Sequence, residues 1–176
     1  MNKAMMTLPY LSHYPQSVQQ QVAKLVEHDT LGTWLQHKYS GLHKVSNDAE
    51  LRDYVMAIKN KYLKKTQPLS KIAYDNKMHV VNHALGLHTF VSRVQGAKLK
   101  SKNELRVSSL FKQTPCAFLN MIVVHELAHL KEKEHNKAFY KLCEHMLPSY
   151  HQVEFDVRVY LTEFDRSGNV FLSEQR

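Results

Sequence analysis

The sequence predicts an α+β fold in which a small antiparallel or mixed sheet packs on two consecutive helices, with a helical extension at the N-terminal side. Three observations predict it. Apolar residues recur at helical spacing through the first third, β-branched and aromatic residues gather between Lys71 and Leu110, and helical spacing returns after Thr114-Pro115. The natural division is 1–68, a helical region packing on a core, and 69–176, the core itself, the two forming one compact unit. A chain of 176 residues, 43% hydrophobic and 23% charged, is long enough to bury such a core.

Each element has its own signal. Pro15 can start a helix with Val18, Val22, Leu25 and Val26 on its apolar face, ending near His28-Asp29. A shorter amphipathic piece surrounds Trp34 and Leu35. Asn47 precedes Glu50 by three residues, a capping-box-like start to a helix through Leu51, Tyr54, Val55, Ile58 and Tyr62, which "KKTQPLS" ends. "KIAY" and "KMHVV", separated by Asp75-Asn76, read as strands; so do "HTFVSRV" and "ELRVSSL", divided by Gly96 and the polar "KSKN". Thr114 is placed to cap the next helix with Pro115 at its first position. A further helix, Lys137 to Met146, carries the stripe Phe139, Leu142, Cys143 and Met146 and stops before Pro148. Residues 151–164 read as strand or helix, with helix preferred.

Composition bounds the function. Nothing in the chain is apolar for long enough to cross a membrane, and the N-terminus lacks the pattern of a signal peptide. Two cysteines, Cys116 and Cys143, suit buried thiols in a reducing cytoplasm better than a disulfide scaffold. The formal charge of +8 admits a polyanionic partner. Yet the lysines are scattered, and "RVQGAKLKSKNELR" lacks interleaved aromatics, so nucleic-acid binding there would be weak, salt-sensitive and carried by Lys98, Lys100 and Lys102.

The chemistry gathers in "HELAHLKEKEH", residues 125–135. On a helix His125 and His129, four apart, fall about 40° from each other around the axis and roughly 6 Å along it. Two imidazoles on one face can share one ion at about 2.0–2.1 Å each. Glu126, about 100° round, is placed to act as general base on a water at that ion. Histidine makes up 12 of 176 residues, so chance could produce the spacing. The apolar setting of "MIVVHELAHL" argues against a plain solvated face. A catalytic zinc takes three protein ligands and leaves a position open. His135 would supply the third if the helix ends within "LKEKE", with Asn136 capping the next helix behind it. Carboxylates on later elements, Glu144 and Glu154, are the alternatives. Arg93, Tyr140 and His145 are candidates for stabilising an oxyanion.

The stretch "VVHELAHLKEKEHNKAFYKLCEHMLPSY" closely resembles the YgjP-like zinc metallopeptidase family, with its H-E-L-x-H, a third histidine six on, an aromatic in the next helix and a late Pro-x-aromatic. "SRVQGAKLKSKNELRVSSLF" is similar to that family's upstream stretch. There Arg93-Val94-Gln95-Gly96-Ala97 stands where many relatives have Arg-Trp-Gly-Ser-Cys, which leaves Arg93 without an inherited role. The resemblance covers about residues 70–160. It implies a minimal zincin-like domain, Zn2+ on His125, His129 and His135, Glu126 as base, and a peptide or protein substrate. The more distant SprT-like proteases, which act on DNA-bound proteins, share the H-E-x-x-H plan. Beside a metallopeptidase stand two other readings. One is a zinc-dependent nucleotide phosphohydrolase; the other is a metal-stabilised nucleic-acid-binding module, against which Glu126 argues, since a structural zinc needs four ligands and no base.

Overall fold

The computed structural model describes residues 6–77, 87–95 and 98–175, with side chains described outside 87–102 and 173–176. Six helices and three strands follow in the order α1 (Gln16–Glu27), α2 (Leu31–Lys38), α3 (Asp48–Tyr62), β1 (Leu69–Asp75), β2 (Leu87–Gln95), β3 (Lys98–Ser108), α4 (Cys116–Ala128), α5 (Lys137–Met146) and α6 (Tyr150–Ser167). Short 3-10 turns at Pro9–Leu11, Ser109–Gln113 and Val170–Gln175 complete the path. The α+β class is as the sequence predicts, and 151–164 is helix.

The sheet is mixed, in the order β1-β3-β2, with β1 parallel and β2 antiparallel to the central β3. "KSKN" does not divide two strands. Lys100 to Asn103 lie inside β3, held in register opposite Arg93 to Phe90 of β2, because cross-strand pairing outweighs the polar composition. Met78 to Val81 of "KMHVV", and Gly96, fall outside the described residues. Parallel pairing of β1 is irregular at its start, between Leu69 and Lys71, and there the Ser70 hydroxyl donates to the Asn103 carbonyl at 2.9 Å.

Helix α4 is the spine. Phe118 and Leu119, and every residue from Met121 to Ala128, are buried, so from Met121 onward this helix has no solvent face. It packs on α3, α5, α6 and β3. From β3 come Leu105 and Val107, from α6 Val157, Tyr160 and Leu161, all in one hydrophobic cluster with Leu8, Leu11, Leu31, Leu35, Leu51 and Val55 from the N-terminal third. Pro115, not Thr114, is the N-cap of α4. Thr114 spends its hydroxyl on the Phe111 carbonyl of the preceding 3-10 turn, at 3.0 Å. Cys143 is buried as expected but Cys116 is exposed, since the first turn of α4 reaches the surface beside Tyr54.

Candidate active site

Helix α4 ends at Ala128, just before "LKEKE" rather than within it, and His129 is its C-cap. Backbone amides of Leu130, Lys131 and Glu132 fold back on the carbonyls of Leu127 and Ala128 at 3.0–3.1 Å, tightening that end. Among the described residues positive φ occurs at Asp29, Gly41 and Gly168, so the turn from 129 to 136 is made without a left-handed residue. Asn136 then caps α5, its side-chain oxygen accepting from the Phe139 amide at 2.9 Å. A helix end, a short turn and a capped start thus carry His135 back to His125 and His129.

The three imidazoles form the one cluster of potential metal ligands among the described residues, with ligand atoms all within 4.8 Å of one another. His135 Nε2 stands 3.0 Å from His129 Nε2. Two nitrogens around a tetrahedral zinc, at about 2.0–2.1 Å from it, are separated by roughly 3.3 Å. His129 Nδ1 is 2.9 Å from the Glu132 carbonyl, which can only accept, so Nδ1 carries the proton and Nε2 offers a lone pair. The donor set therefore fits a catalytic-type zinc. Phe139, fully buried, holds all three rings, with centroids 4.9, 4.6 and 4.8 Å from those of His125, His129 and His135. Exposure rises along the cluster from buried His125 through half-buried His129 to exposed His135, so a substrate would enter from the His135 side.

Burial drives the electrostatics. It pushes the His125 imidazole well below its usual range, helped by His129, His135 and Arg158. His129 is lowered for the same first reason. Glu126, only 1% exposed, has its carboxyl raised well above the usual carboxylate range by desolvation. A bound cation would act with burial on the two imidazoles, favouring the neutral form that ligates, and against it on Glu126, favouring the charged carboxylate.

The other sequence candidates separate. Glu144 is exposed and faces His151 at 3.3 Å. Glu154 is buried and pairs with Arg158 at 3.2 Å. Tyr140 lies near the cluster, its ring 6.4 Å from that of His135. His145 packs edge-on against Tyr62 of α3, about 240° round α5 from Phe139. Arg93 is on β2, with its side chain outside the description. Two contributors carried no role in the sequence, Phe139 beyond its place in a stripe and Tyr150, whose hydroxyl lies 2.7 Å from His125 Nδ1. The signal for Tyr150 was its place in the "PSY" that closes the family-like stretch.

A buried motif helix, backed by a small mixed sheet and followed by a second helix, is the plan of a minimal zincin-like hydrolase domain. The family model described as YgjP-like, metallopeptidase domain, matches residues 19–156, and the chain belongs to that family. UTP pyrophosphatase of Escherichia coli (strain K12) is 53% identical over 165 residues, which cover 94% of this chain and 99% of that protein. No solved structure matches the chain. No described helix is long and apolar enough to cross a membrane.

Proposed function

We propose that this chain is a zinc-dependent pyrophosphatase of nucleoside triphosphates, with UTP as its substrate. The observation that carries the reading is the 53% identity, across nearly the full length of both chains, to a relative named for that activity. The site supports it through His125, His129 and His135 as ligands and Glu126 as base. Zinc held there would lower the pKa of a water towards about 7 and neutralise developing charge on phosphate oxygens. Glu126 takes a proton from the attacking water. The water oxygen joins phosphorus, the bridging P–O bond between the α and β phosphates breaks, and pyrophosphate leaves while UMP remains. Proton return from Glu126 to product or solvent closes the cycle. The formal charge of +8 favours a substrate carrying several negative charges.

Metallopeptidase activity, which the family description names, is the competing use of the same parts. A base and a zinc-activated water suit an amide as well as a phosphoanhydride. The two are separated by supplying the zinc-loaded protein with UTP, CTP and ATP in parallel with a mixed peptide library and unfolded casein. Pyrophosphate and UMP from UTP, abolished in Glu126→Gln, are expected. Peptide cleavage with no nucleotide turnover would reverse the assignment.

A further inference from the structure

We propose that Tyr150 is a positioning residue for the metal site, accepting a hydrogen bond from His125 Nδ1 and donating its own proton to Glu154, so that a buried carboxylate acts on the ion through a tyrosine. The inference rests on the zinc reading above. The distance from His125 Nδ1 to the Tyr150 hydroxyl is 2.7 Å, and Tyr150 is fully buried, so water cannot substitute for either partner. Glu154, four residues further along α6 and also buried, bears on the same hydroxyl through its charge, and Cys143 lies nearby.

A tyrosine has one proton to give, and its direction decides the tautomer of His125. Were Tyr150 to donate to Nδ1, Nε2 would carry a hydrogen and could not bind a metal. Glu154 draws the proton away, because a charged carboxylate outcompetes both a neutral imidazole and a neutral thiol as acceptor. Nδ1–H then points at the tyrosine oxygen, and Nε2 is bare towards His129 and His135. The carboxylate is itself held by Arg158, whose Nε and Nη2 lie 3.3 and 3.2 Å from Glu154 Oε1. Tyr150, Glu154 and Arg158 are spaced at four-residue intervals along α6, one face of one rigid helix. His129, by contrast, takes its tautomer from a backbone carbonyl. At His125 it is side chains that set the ligand.

The full chain, stripped of metal and titrated with zinc against a chromophoric chelator, tests this, with the absorption of the cobalt-substituted protein as a second readout. Tyr150→Phe keeps the ring and should weaken zinc binding by about 10–100-fold and change the cobalt spectrum. Glu154→Gln should weaken binding less in the wild-type background, and by under about twofold when added to Tyr150→Phe, because its effect runs through the hydroxyl. Unchanged affinity and spectrum in Tyr150→Phe, with wild type binding one zinc, overturns the positioning role alone. Wild type taking up no zinc removes the metal reading and this proposal with it. Should Tyr150→Phe not fold, Glu154→Gln decides the matter, and a variant that matches wild type in both readouts overturns the proposal.

Discussion

At the scale of single residues, the site is a set of neutral or near-neutral groups that a cation would bring into their working states. Glu126 is the sharpest case. Desolvation raises its carboxyl, so it takes up a proton readily once a nearby positive charge has held it ionised. Glu126→Gln keeps the shape and should retain zinc while turnover falls by about 10²–10⁴-fold. Metal content and initial rate, measured on the same preparation, check both halves, and a variant as active as wild type would move the base elsewhere. The H-E-x-x-H spacing made His125, Glu126 and His129 readable as candidates because helix geometry converts a four-residue interval into adjacency. Tyr150 was not readable in that way. Its partner is 25 positions away, and only the packing of α6 against α4 brings the two together.

Among the elements, the turn between α4 and α5 does the assembling. His135 is exposed, and both its own position and that of Phe139, the core ring against it, depend on the capped start of α5 immediately behind it. Asn136→Ala removes the acceptor for the Phe139 amide and should lower stability by about 1 kcal/mol. It should also weaken zinc binding, since Phe139 and His135 flank the cap. Asn136→Asp, which restores an acceptor, should recover most of both. Equal zinc affinity in Asn136→Ala and wild type would show that the ion fixes the turn without help from the cap. Caps of this kind were legible: Asn47 before α3 and Asn136 before α5 both accept the predicted backbone amides. The extent of β3 was not, because a strand interior of Lys100, Ser101 and Lys102 has the composition of a loop. Its register partners on β2 are what make it a strand. Thr114 misled for a related reason, its hydroxyl having a nearer carbonyl to satisfy than the helix amides.

On the scale of the whole molecule, charge and metal act through linkage. A basic protein of formal charge +8 should draw a triphosphate by long-range attraction that salt screens. KM for UTP should therefore rise as ionic strength goes from about 50 to 300 mM, with kcat changing far less. A KM indifferent to salt would confine the charge to solubility. Zinc should also stabilise the fold, because its ligands come from the end of α4 and the start of α5, and it binds the native chain only. At a free concentration of about 100 Kd the gain is about 2.7 kcal/mol, a rise in Tm on the order of 5–10 °C for a chain of this size. That rise has a pH dependence of known sign. Glu126, raised in the fold above its ordinary 4.5, leaves the metal-stripped protein unpenalised below that value and increasingly penalised as pH climbs above it. Zinc offsets the penalty by favouring the carboxylate, and histidines lose their competition with protons in the same direction. The difference in Tm between zinc-loaded and chelator-stripped protein should accordingly be largest near pH 7–8 and shrink towards pH 5. A difference that is flat across this range, in a protein that does bind zinc, would mean that neither Glu126 nor the imidazoles change protonation with the metal.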